Sequence, residues 1–282
     1  MSDADLPIGV FDSGVGGLTV LHAIHELLPD EQLVYLGDTA RVPYGTKSPE
    51  SVERYALHAA DYLVSRGIKL LVVACNTASA VALDALQTQL APLPVIGVVE
   101  PGAAAAVSRG HGHRHIVLAT EATVRRLAYT KAIQRLDPES LVEELACSLF
   151  VALAEEGWNT GDIANAVAEQ YLGAIRLRSE ANRPATAILG CTHFPLLAPA
   201  IRAALGPDIE IVDSAPTTAA AVAQELEKLQ LMTSASDGSE RITLIATDGP
   251  ARFARVGSAF LGREFAPADI ELIDIHPTDI GA

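Results

Sequence analysis

Cysteine is scarce in this chain, three among 282 residues, and tryptophan occurs once. Cys75, Cys147 and Cys191 are odd in number and far apart, and a chain of this length buries enough apolar surface to need no disulfide staple. Reduced thiols are the default. Basic residues are also few: 20 Lys and Arg against 35 Asp and Glu leave a formal net charge of −15. A phosphate-tracking surface needs the opposite sign, which argues against nucleic acid and an anionic membrane surface as main partners. Apolar runs such as "LLVVAC" fall far short of the roughly 20 residues that span a bilayer. The acidic start "MSDADLPIGVFDSG" lacks the basic n-region of a secretory signal, so a cytoplasmic location is the expectation.

What the chain does have is apolar content, 49% of its residues, arranged in a regular alternation. Short β-branched segments precede longer helical patterns: "PIGVFD" then 16–28, "QLVYLG" then 50–65, "KLLVVAC" then 77–90, "PVIGVV" then 101–108. The pattern resumes with "RHIVLAT" and 121–136, a segment near 141–146, a helix near 160–178, "TAILGC" and 195–204, "IEIVDS" and 215–230, and "RITLIAT" and 250–261. Such alternation predicts an α/β fold with mainly parallel, doubly wound sheets. "VVEPG" at 98–102 and "VDSAP" at 212–216 mark crossing points, giving a discontinuous first domain, 1–98 plus 212–282, and a second, 99–211. "TSASDGSE" at 233–240 reads as a polar surface loop.

The two halves echo each other. "LLVVACNTA" and "AILGCTHF" both run from an apolar strand through a small residue and a cysteine into polar residues, and "VFDSG" and "IVDSA" both end a strand in Asp-Ser. The two cysteines lie about one domain length apart, so two pseudo-symmetric lobes are expected.

In open α/β sheets, ligands collect beyond the carboxyl ends of the strands, where the next helix offers unsatisfied N–H groups. Four polar clusters fall at such positions: Asp12-Ser13-Gly14, Cys75-Asn76-Thr77, Thr120 to Thr123, and Cys191-Thr192-His193. A helix N-terminus binds carboxylates and lowers a thiol's pKa from about 8.5 toward neutrality. One buried cysteine at a strand end is ordinarily a small hydrophobe, but a matched pair is poorly explained by packing. Cys147, in "LACSLFVAL", lacks that context and reads as structural.

The series "IGVFDSGVGGLTVL", "YLGDTARVPYGTKS", "VVACNTASA", "GVVEPG", "LGCTHFPLL" and "VDSA" resembles, in order and over nearly the whole chain, the motifs of the glutamate racemases of the aspartate/glutamate racemase family. The resemblance implies cofactor-independent interconversion of L- and D-glutamate, supplying D-glutamate for peptidoglycan, by a two-domain enzyme with its active site between the domains. It makes Cys75 and Cys191 the two bases, with Asp12 and His193 assisting them. Glutamate would be held by Asp12, Ser13, Tyr44, Gly45, Asn76, Thr77, Thr120, Thr123, Thr192 and His193, with Glu155 where the family has a glutamate near the site. A homodimer is common in the resembled family. Ala119 stands where the family usually has glycine, and Ser148 where proline is common.

Inverting an α-carbon explains a cysteine pair, because a proton leaves one face and another arrives on the opposite face, which one fixed side chain does not serve. Other readings stay open: an aspartate racemase using the same pair, a thiol hydrolase relying on Cys191 and His193, or a noncatalytic carboxylate-binding protein. "SGVGGLT" has Thr19 in the third glycine slot of a dinucleotide loop, which argues against nicotinamide. "HGHRH" at 111–115 reads as a solvated turn rather than a metal site, and no metal is called for.

Overall fold

The structure, a computed structural model, describes residues 3–109, 112–234 and 241–275. It divides into two compact units, Met1–Val98 with Ala215–Ala282, and Val99–Ser214. The first unit begins with β1 (Ile8–Asp12), α1 (Leu18–Leu27), β2 (Leu33–Gly37), α2 (Pro49–Ser65), β3 (Leu70–Val73), α3 (Asn76–Leu90) and β4 (Val95–Gly97). The second contains α4 (Val99–Arg109), β5 (Arg114–Ala119), α5 (Glu121–Arg126), α6 (Ala128–Leu136), β6 (Leu141–Ala146) and α7 (Leu149–Glu155). It continues through α8 (Gly161–Arg176), β7 (Thr186–Gly190), α9 (Ala198–Leu205) and β8 (Glu210–Asp213). The chain returns to the first unit with α10 (Ser214–Leu229), β9 (Ile242–Ala246), α11 (Pro250–Leu261) and β10 (Ile270–Leu272).

All strand pairs among the described residues are parallel. The first sheet has the order β10-β9-β2-β1-β3-β4 and the second β6-β5-β7-β8. Each therefore contains the same arrangement: first strand inside, second on one flank, third and fourth on the other. β1, β2 and β3 are buried at every residue, as strands covered on both faces must be. Phe11, Leu36, Leu71 and Val73 share one core cluster with Val52, Ala56, Ala59 and Ala60 of α2 and Ala78 and Ala82 of α3. Alternate strand residues point the other way, to the side where α1 packs with α11. α2 shows why such helices form. The Ser48 hydroxyl accepts from the Ser51 N–H, Pro49 opens the first turn, and Val52, Ala56, Ala59, Ala60 and Leu63 recur at helical spacing on the buried face.

The structure departs from the sequence expectations at particular points. The helix expected over 121–136 breaks at Leu127, whose φ of 50° is left-handed; α6 is re-aimed there, and Tyr129, Ala132 and Ile133 join a cluster with Val99, Ala103 and Ala106 of α4. A continuous helix over 195–204 would set the Pro199 ring against the carbonyl of residue 195. A 3-10 turn, Phe194–Leu197, precedes α9 instead. α7 and the three-residue edge strand β10 are additional elements. The "VFDSG" and "IVDSA" echo is not topological, since β1 is an inner strand of its sheet and β8 an edge. Only residues 233 and 234 of the polar 233–240 segment lie within the described residues.

A buried ion pair ties four segments of the first unit. Lys69 Nζ donates to Glu31 Oε2 at 2.5 Å, to the Ala4 carbonyl at 2.5 Å and to the Leu231 carbonyl at 2.9 Å, while the Thr233 N–H donates to Glu31 Oε1 at 2.8 Å. Both side chains are almost wholly buried. Lys69→Met, leaving the Glu31 charge without its counter-ion, is expected to lower unfolding free energy by about 3–5 kcal/mol, read from urea denaturation.

Candidate active site

β1 and β3 are adjacent and in register, Phe11 opposite Val73, so Asp12 and Ala74 leave the sheet on the same edge. Asp12 is buried. Its Oδ2 accepts from the Gly14 N–H at 2.9 Å and from the Tyr35 hydroxyl at 3.3 Å. Cys75, 6% exposed, is the N-cap of α3. Its thiol donates to Ser13 Oγ at 3.4 Å and its sulfur accepts from the Ala78 N–H at 3.5 Å. The sulfur thus sits against the positive end of a 15-residue helix, which favours thiolate character. Asn76 and Thr77 are buried in the first turn of α3. Ser79 fixes that turn, donating to the Val73 carbonyl at 2.9 Å and accepting from the Val98 N–H at 3.2 Å.

Tyr44 and Gly45 lie in a 3-10 turn, Tyr44–Thr46. The Tyr44 hydroxyl donates to Asp38 Oδ2 at 2.6 Å, and the ring lies 6.2 Å from Phe11 and 5.9 Å from Tyr55. Burial, then the Asp38 charge, pushes its ionisation far up, so it stays a donor. Asp38 Oδ1 also accepts from Thr247 at 3.0 Å, anchoring the segment to the end of β9.

In the second unit, Thr120 and Thr123 follow β5 with their hydroxyls 3.2 Å apart. Cys191 follows β7 directly, with Thr192 buried beside it. His193 Nδ1 lies 3.9 Å from Cys191 Sγ, and Nε2 lies 3.0 Å from Glu155 Oε1 at the end of α7. Burial by itself lowers the His193 pKa, but the hydrogen bonds and charges of Cys191 and Glu155 outweigh it and push the group up to about 10. At neutral pH this imidazole holds its proton beside the Cys191 sulfur. Cys147 differs. Burial, then the nearby Cys191, pushes its thiol up to about 12, and it donates to the Leu145 carbonyl at 3.7 Å, as a packed neutral group.

The structure thus groups Asp12, Ser13, Cys75, Asn76 and Thr77 at the carboxyl ends of β1 and β3. Cys191, Thr192, His193 and Glu155 gather beyond β7, and Thr120 and Thr123 beyond the neighbouring β5. Sequence reasoning did not single out Tyr35 or Asp38. Their signal was faint: a lone hydroxyl inside the apolar "LVYLG", and a carboxylate one residue beyond it. Of "HGHRH", His113 Nδ1 lies 2.6 Å from Asp137, and His115 Nδ1 lies 2.8 Å from Thr186 Oγ1; His111 falls outside the described residues.

A family profile described as Asp/Glu/Hydantoin racemase matches residues 8–224. The chain belongs to this family. Among racemases of the family, a glutamate racemase of Geobacter metallireducens is 52% identical over 255 residues, 90% of this chain and 92% of that one. A glutamate racemase of Syntrophus aciditrophicus is 44% identical, covering 91% and 93%. The crystal structure of glutamate racemase from Francisella tularensis in complex with D-glutamate superposes with a TM-score of 0.87 at 33% identity, covering 96% of this chain and 98% of that one.

Because the folded-state pKa of His193 lies above its ordinary 6.5, the stabilisation from its proton is complete below about pH 6.5 and is lost as pH rises through about 10. Glu155→Gln, which removes the carboxylate charge, is expected to move the His193 imidazole NMR titration down from about 10 and to narrow that window of pH-dependent stability.

Proposed function

We propose that this racemase interconverts L- and D-glutamate with Cys75 and Cys191 as its two bases and without an organic cofactor. The observation that carries the reading is the repeated placement of a cysteine outside any disulfide just beyond the third strand of each unit, each thiol with its own polar apparatus. The relatives named glutamate racemase, at 52% and 44% identity, supply the substrate.

In this reading one thiolate removes the α-proton from one face of the carbon while the other thiol delivers a proton to the opposite face, and the roles exchange with the handedness of the substrate. Cys75 is prepared by the α3 N-terminus and Ser13, with Asp12 assisting. Cys191 is prepared by His193, whose proton Glu155 stabilises. The glutamate carboxylates are met by hydroxyls and backbone N–H groups at Ser13, Gly45, Asn76, Thr77, Thr120, Thr123 and Thr192, donors that suit an acidic substrate without a lysine. The reading includes a cytoplasmic homodimer feeding peptidoglycan synthesis. Among the described residues no helix is long and apolar enough to cross a membrane.

Incubating the purified protein with L-glutamate in D2O, with no pyridoxal phosphate, is expected to place deuterium at the α-carbon and bring optical rotation to zero, followed by NMR and polarimetry. A folded protein that gives neither label nor rotation change refutes the reading, and faster exchange on aspartate reassigns the substrate. Cys75→Ser and Cys191→Ser are each expected to lower racemisation by about 10³-fold. A thiol hydrolase would instead retain its activity without Cys75.

A further inference from the structure

We infer that Tyr35, on β2, is the positioning residue that aims the Asp12 carboxylate at the Cys75 side of the site. This rests on the two-thiol reading above. Asp12 Oδ2 accepts from the Gly14 N–H at 2.9 Å, and the Tyr35 hydroxyl shares its single proton between Oδ2 at 3.3 Å and the Gly14 carbonyl at 3.0 Å. Both contacts fall on the same oxygen, which fixes the plane of the carboxylate. Tyr35 is itself fixed from both ends. Its hydroxyl bridges Asp12 and the Gly14 carbonyl, and its ring lies 6.1 Å from Phe253.

The backbone around the carboxylate is shaped to the same end. A Cβ on Gly17, at the start of α1, would lie 2.6 Å from Asp12 Cβ and 2.9 Å from Ala74 Cβ, so only a bare glycine lets the chain close over Asp12. A Cβ on Gly37 would collide with the Gly14 carbonyl, the same carbonyl that receives Tyr35. Burial, then the Asp12 charge, pushes the Tyr35 ionisation well above its ordinary range. The phenol therefore remains an O–H donor wherever the protein is folded.

The test is Tyr35→Phe, which keeps the ring and removes the donor, compared with Asp12→Asn and the double variant, with folding checked by thermal melting. Wild-type exchange is measured first, and its absence would sink the racemase reading before any variant is compared. Enantiomers are equal in free energy, so kcat/KM must fall equally for both; the expected loss in Tyr35→Phe is about tenfold. The directional readout is the α-deuterium isotope effect on kcat/KM. It is expected to rise for one enantiomer and fall for the other, on the same side as in Asp12→Asn, because only the Cys75 proton transfer has been slowed. In the Asp12→Asn background, Tyr35→Phe is expected to cost little more, as for two groups acting as one unit. Wild-type rates in Tyr35→Phe, an unchanged isotope effect, or losses that multiply in the double variant would each overturn the inference. Should Tyr35→Phe fail to fold, 3,5-difluorotyrosine at position 35 keeps the ring and alters only the donor, and an isotope effect identical to wild type would overturn the inference equally.

Discussion

Parallel pairing is the constraint on which the candidate site depends. β1 and β3 run in the same direction in adjacent register, so Asp12, Ser13 and Cys75 leave the sheet at one edge, where α3 begins at once. An antiparallel neighbour would have carried its cysteine to the opposite edge. The second sheet repeats the rule with β5 and β7, Ala119 opposite Gly190, and releases Thr120 and Cys191 together. Because strand direction and order are shared by the two sheets, the chemistry of each unit is assembled by backbone topology before any side chain is chosen.

The two thiols are nonetheless held by different physics. Cys75 caps a long helix, and the fixed dipole of α3 acts on its sulfur together with a hydroxyl partner. Cys191 has no such helix beside it, since Pro195 and Pro199 delay α9 behind a 3-10 turn. A protonated imidazole backed by Glu155 supplies the positive charge there instead. One sulfur answers to a permanent field and the other to a proton that titrates, so acidity and alkalinity act unequally on the two halves of the proposed reaction.

Much of the fold was legible because fully buried parallel strands read as short apolar runs, and the helices between them carry caps and a clean period. "LLVVAC" and "TAILGC" announced both β3 and β7 and the cysteines beyond them. The break at Leu127 was not legible: a leucine in left-handed conformation has no sequence signature, and it is the packing of Tyr129 against α4 that fixes it. The edge strand β10 is too short to show a period. In the site, Asp12, Cys75, Thr120 and Cys191 were visible because each stands at the end of a strand. Tyr35 and Asp38 act through partners 23 and 6 residues away in sequence, and only the folded chain brings their hydrogen bonds into view.

The interrupted layout of the first unit has a consequence for how the protein is made. β2 pairs with β1 on one side and with β9 on the other, yet β9 lies beyond the whole of the second unit in chain order. While the ribosome is still translating that unit, the entirely apolar flank "LVYLG" is a bare sheet edge, the feature that templates aggregation in nascent chains. The second unit, by contrast, is one continuous stretch with all of its strands in hand as soon as it emerges. The edge built near the start is covered only once β9 has been made.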